Sequence, residues 1–170
     1  MSRLIPLILS LSLFLLGCSS AGVKNVEYAQ FDRTTVVPKQ IDDVWSYILE
    51  WSAVKGIPIG RTDKDSGIIV LEFSGTVSQG FGSAEIDESF VSCGEATGNI
   101  GLYTGQFTDL LVNTTIILRE VDGGTRVTVN LSGNVGVEVR NGYGTVSQSR
   151  NTCASRGVLE KALFADLRDF

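Results

Sequence analysis

The chain contains no histidine. The commonest general base and metal ligand is therefore missing, and every catalytic scheme built on an imidazole goes with it. Basic residues are also few: 14 Lys and Arg stand against 19 Asp and Glu, a formal charge of −5. Nucleic acid demands a basic footprint, so no nucleic-acid partner is expected. Long hydrophobic runs are absent too. The longest, Leu4 to Leu16, is thirteen residues interrupted by Pro6, Ser10 and Ser12, whereas a spanning helix needs about 20 apolar residues to cross roughly 30 Å of hydrocarbon.

What the N-terminus does have is an export profile. Met1-Ser2-Arg3 supplies one positive charge, the Leu-rich run follows, and polarity returns at Ser19. That pattern is read as a signal peptide over residues 1–17. The end of the run, Leu15-Leu16-Gly17-Cys18, resembles the bacterial lipobox, with Leu three positions before the Cys and a small residue just before it. The resemblance implies cleavage before Cys18 and lipidation of its thiol, including palmitate-type acylation. Each buried CH₂ of such a chain contributes about 0.8 kcal/mol, so two or three chains anchor a protein effectively permanently. Ser19 rather than Asp after the Cys resembles the outer-membrane type, which implies an anchor in the outer membrane with the protein facing the periplasm.

Residues 18–25 then read as a lipidated tether and residues 26–170 as one α+β domain, about 150 residues able to bury a real core. Removal of Arg3 with the signal takes the formal charge from −5 to −6. With Cys18 assigned to lipid, Cys93 and Cys153 remain as a pair in an oxidising compartment, and a disulfide is expected. Two buried free thiols are the alternative. The pair lacks the Cys-x-x-Cys spacing of catalytic dithiols.

Along the domain, Val26 to Val37 is β-leaning and ends at Pro38. Asp42 and Asp43 favour a helix start there, and Ile41, Val44, Trp45, Ile48 and Leu49 fall at i, i+3, i+4, i+7 and i+8, one apolar face. Trp45 reads as a core anchor, and Trp51, nearer the edge of the stripe, as a residue able to face a partner. Gly56 and Pro58 stop the helix. Ile57 to Thr62 and Ile68 to Phe73 read as a hairpin about a polar turn ending in Gly67. Gly75, Gly80 and Gly82 follow in a loop with no Lys-Ser or Lys-Thr behind them, so a phosphate cradle is not expected. Ala84 to Cys93 reads as a strand whose register is blurred by Asp87 and Glu88, and Gly94 to Gly105 as a long adaptable loop.

The clearest signal comes next. Leu110, Val112, Thr114, Ile116 and Leu118 alternate, Val127, Val129 and Leu131 answer them, and Asp122-Gly123 suits a type I′ turn. Val135, Val137 and Val139 prolong the alternation. Asn141 to Thr152 is expected to be a polar loop, Cys153 to open the closing helix, and Leu159, Ala162, Leu163, Leu167 and Phe170 to be its apolar stripe, with Glu160 turned to solvent.

This order gives an antiparallel sheet packed by an N-terminal and a C-terminal helix. It resembles the helix-grip class. The run from Val37-Pro38 through Asp43-Val44-Trp45 to Gly56-Ile57 and Asp63-Lys64-Asp65-Ser66-Gly67-Ile68-Ile69 is similar to that of BamC-like lipoproteins of the outer-membrane assembly machinery. The resemblance implies an adaptor or accessory in envelope assembly that works with an envelope protein partner.

No cofactor, metal site or catalytic residue is expected. Asp87 and Glu88 are adjacent, so on a strand they point to opposite faces and match no calcium-site spacing. The expectation is a non-catalytic lipoprotein. Its alternative is a carrier of a lipid or other apolar small ligand in a cavity between helix and sheet, lined by Ile48, Ile116, Val127, Leu159 and Leu163.

Overall fold

The computed structural model describes residues 21–76, 90–98, 105–141 and 143–170. In chain order the elements are β1 (Gly22–Lys24), β2 (Thr34–Val37), α1 (Ile41–Val54), β3 (Ile59–Asp63), β4 (Ile68–Thr76), β5 (Val91–Ser92), β6 (Glu95–Thr97), β7 (Gly105–Val121), β8 (Gly124–Asn141), β9 (Gly144–Ser155) and α2 (Val158–Asp169). The fold is α+β, mostly antiparallel sheet, with one helix near each end of the domain. None of the described helices is long and apolar enough to cross a membrane. The signal sequence, Cys18 and the Asp87-Glu88 pair lie outside the described residues.

Strands β7 and β8 form a long hairpin on which the other elements are assembled. The strand order is β3-β4-β7-β8-β9-β5, and β2 also pairs with β8. One edge of β8 is therefore shared: Thr125 to Thr128 pair with β2, and Gly133 to Asn141 pair with β9. The hairpin forms where the alternation places it. Its inward set, Leu110, Val112, Ile116, Leu118, Val127, Val129, Leu131, Val135, Val137 and Val139, is buried throughout. The connection is Asp122-Gly123 with Val121 opposite Gly124, but it is not a type I′ turn. That turn needs positive φ at both central residues. Asp122 does not take it, and Gly123 does at +88°, because only glycine enters that region without Cβ crowding.

Both helices contact the hairpin, and α2 also touches β2, which pairs with the turn-proximal residues Thr125 to Thr128 of β8. Val44, Trp45, Ile48 and Trp51 of α1 and Leu159, Leu163, Phe164 and Leu167 of α2 are buried in one core with the sheet. Asp166 links them. It accepts from the Trp51 indole Nε1 at 2.7 Å and pairs with Lys55 at 3.4 Å, while its carbonyl accepts from the Tyr47 hydroxyl at 3.1 Å. The Tyr47 and Phe170 rings stack at 4.2 Å. Trp51, read from the sequence as able to face a partner, is thus buried and held.

Three further expectations are corrected. Residues 144–155, expected to be mostly loop with a helix opening at Cys153, form β9. The alternation there is between two kinds of polar residue, half-buried Ser147, Ser149 and Asn151 against exposed Gln148, Arg150 and Thr152, so it carries no hydrophobic period. Gly22–Lys24 in the expected tether and Glu95–Thr97 in the expected long loop pair as a two-stranded sheet. Glu160 does not face solvent. It is fully buried, and its Oε1 accepts from the Ser155 hydroxyl at 2.7 Å, which in turn accepts the Gly157 N–H at 3.0 Å.

Candidate functional site

Cys93 and Cys153 are joined in a disulfide, their Cα atoms 4.3 Å apart and 60 residues apart in sequence. Cys153 lies in β9 opposite Gly133 of β8, and Cys93 follows directly after β5. Two short pairings support the link: Val91 opposite Ser155 and Ser92 opposite Ala154. The Arg156 N–H adds a bond to the Phe90 carbonyl at 3.0 Å, and the Glu27 N–H one to the Ser92 hydroxyl at 3.1 Å. Immediately after the disulfide the chain turns hard against β1. Gly94 has φ +71°, and a Cβ there would run into the Lys24 carbonyl, so this corner requires glycine.

The corner borders an open-mouthed recess of about 250 Å³ at the end of the hairpin remote from its turn. Its floor is Val91, Phe107, Leu110 and Val135, contributed by β5, β7 and β8. All but Phe107 are at most 2% exposed. Polar residues stand at its edge: Asn25, Glu27, Ser92, Glu95 and Arg156. Glu95 is committed. Lys24 pairs with it at 3.2 Å and the Asn25 amide donates to it at 3.4 Å, and these bonds, the Lys24 one foremost, hold its carboxyl below the usual range. Glu27 and Arg156 carry no such commitment. Among the described residues neither side chain makes an ion pair or a hydrogen bond.

A second polar recess lies beside the β7 bulge at residues 107–110. Thr108 donates to Asp109 Oδ1 at 2.8 Å and Arg150 pairs with Oδ2 at 2.7 Å, which keeps that carboxyl ionised to lower pH than usual, the Thr108 bond first. Glu138, only 5% exposed, pairs with Arg140 at 2.6 Å and accepts from Thr145 at 3.2 Å. Both carboxylates are already partnered, and the recess reads as a structural network. No group of three or more metal-binding side chains occurs among the described residues.

The side chains expected to line a cavity under the helices do come together, but as solid core. Ile48, Ile116, Val127 and Leu163 have no exposed surface and Leu159 has 2%. Cysteine count brings out Cys93 and Cys153. Glu27 and Arg156 carry no sequence signal, since each sits in an aperiodic stretch and becomes notable only when β5 and β9 meet. At the opposite end of the sheet, β3 is an edge strand whose five residues are all exposed.

No protein-family model, curated protein or solved structure matches the chain.

Proposed function

We propose that the chain is a non-catalytic lipoprotein, anchored through lipid on Cys18 at the periplasmic face of the bacterial outer membrane, and that it serves as an adaptor in envelope assembly. In this reading the two helices hold the sheet in the helix-grip manner. The observation that supports the adaptor role is β3. It begins the strand order and is exposed along its whole length, so among the described residues its outer backbone groups have no strand partner. An extended segment of another protein adds to such an edge through main-chain hydrogen bonds, with side chains supplying selectivity. Pro58, the irregular register between Ile59 and Arg61, and the charges of Arg61 and Asp63 protect the edge from indiscriminate pairing. Behind it the helix–sheet core is packed solid, a rigid platform.

The test is photo-crosslinking in cells from Arg61 and Thr62 of the full chain, with exposed Asp122 at the far hairpin turn as control. A discrete envelope protein captured from β3 and not from the turn is expected. No capture, or equal capture from both, refutes the reading. Cys18→Ala is expected to release the protein from the membrane fraction.

A second reading, a binder of a small apolar ligand, is favoured by the cavity behind the disulfide. Its walls are strands and not the helix–sheet interface, so a long acyl chain is poorly matched to it.

A further inference from the structure

We propose that the cavity closed by the Cys93–Cys153 link is a binding site for a zwitterionic α-amino acid with an apolar side chain. The proposal rests on the small-ligand reading of the cavity and makes no use of β3.

The floor sets the first requirement. Half-buried Phe107 is the floor side chain that presents hydrocarbon to the space, with Val91, Leu110 and Val135 closed beneath it, so the innermost part of an occupant is apolar. Size sets the second. At about 250 Å³ the space is below the roughly 300–1,000 Å³ of sites for drug-sized molecules, which suits an amino-acid side chain better than a long lipid tail.

Charge sets the third. Arg156 and Glu27 both line the space, yet no ion pair joins them and neither is neutralised by another described residue. The neighbouring Glu95, by contrast, is fully engaged with Lys24 and Asn25. One unpaired cation and one unpaired anion beside an apolar floor complement a molecule that bears a carboxylate and an ammonium next to an apolar body. A guanidinium accepts a carboxylate in a planar, two-pronged arrangement. The Glu27 carboxylate accepts the ammonium. A purely anionic ligand would meet Glu27 unfavourably, and a purely cationic one Arg156. The wall carrying Arg156 is fixed in advance by the disulfide and by the Arg156 N–H to the Phe90 carbonyl, so little ordering is needed on binding.

Equilibrium dialysis of the full, oxidised chain against radiolabelled L-leucine tests this. Saturable one-to-one binding is expected. L-Leucinamide, which lacks the carboxylate, and N-acetyl-L-leucine, which lacks the ammonium, are each expected to compete at least tenfold more weakly than unlabelled leucine. Arg156→Gln and Glu27→Gln are expected to weaken leucine binding at least tenfold, and Lys161→Gln, on the exposed side of α2, to leave it unchanged. Absence of saturable binding up to about 10 mM overturns the proposal, as does competition by either derivative as strong as that of unlabelled leucine, which needs no variant to fold. The β3 crosslinks are read separately, so failure here leaves the adaptor reading standing.

Discussion

Thr114 is the place where the packing is most open to improvement by one atom. It sits on the inward face of β7, between Leu71 of β4 and Leu131 of β8 in the register, and it is fully buried. Among the described residues its hydroxyl has no hydrogen-bond partner. Every other inward position along this stretch of β7 is aliphatic, so the hydroxyl was removed from water with nothing to replace the lost bonds. Leaving a buried polar group unsatisfied costs about 1–3 kcal/mol. Valine has nearly the same shape and is a better strand former.

Thr114→Val is therefore expected to stabilise the fold by about 1 kcal/mol, which for a domain of this size corresponds to roughly 2–4 °C in Tm. Thr114→Ser separates the two contributions. It keeps the unsatisfied hydroxyl and deletes a buried methyl, and is expected to destabilise by about 1 kcal/mol. Urea unfolding followed by tryptophan fluorescence reads both, since Trp45 and Trp51 lie in the same core, and an unchanged m-value is the condition for comparing midpoints. A destabilised valine variant would refute the reasoning, because it would mean that the hydroxyl has a partner whose loss outweighs the gain.

Two other perturbations follow from the same structure. Replacing both Cys93 and Cys153 by Ala opens a loop of 60 residues, for which the chain-entropy model gives a loss of about 4 kcal/mol; a change below about 1 kcal/mol in denaturant unfolding would show that the unfolded chain is already compact there. Acid should weaken the fold. Asp166, held by the Trp51 indole and then Lys55, and Asp63, held by Ser66, are depressed like Glu95 and Asp109. Their stabilisation is present above the ordinary carboxylate range near 4 and is lost as pH falls through the lower folded-state values. Tm is expected to be flat from neutral pH down to about 5 and to fall below about 4, and Asp166→Asn to make that fall shallower; a fall of unchanged steepness in this variant would count against the Trp51–Asp166 bond.

How much of this was legible depends on what each strand buries. The β7–β8 hairpin was visible because Val and Ile alternate with polar residues on strands of 17 and 18 residues. The first helix was visible for the same reason at its own period. Strand β9 was not, because its inward side is built from Ser147, Ser149 and Asn151, which are satisfied by hydrogen bonds rather than by burial of hydrocarbon: Ser147 accepts the Ala21 N–H at 3.2 Å and Ser149 accepts from Asn151 at 2.8 Å. Glu160 misled for a related reason. A carboxyl reads as a solvent face unless a hydroxyl such as that of Ser155 lies within reach, and the meeting of Ser155 with Glu160 depends on the left-handed turn at Gly157.

The two ends of the long hairpin are consequently held by different physics. Near the turn, two helices cover the sheet with Trp, Leu, Ile and Val, and burial of hydrocarbon at about 25 cal/mol per Å² is sufficient. At the far end the neighbouring elements are a two-residue and two three-residue strands beside a polar β9, which have little apolar surface to contribute. A covalent link at Cys93–Cys153 supplies there what the side chains do not, by restricting the unfolded chain rather than by adding contacts. A disulfide of this kind persists only under oxidising conditions, so the proposed export and the far-end architecture depend on each other. The same division explains the placement of the cavity. A helix-covered core leaves no room without loss of stability, whereas a stapled corner of short strands keeps both its shape and an open floor, and that is where, among the described residues, Glu27 and Arg156 have no charged partner.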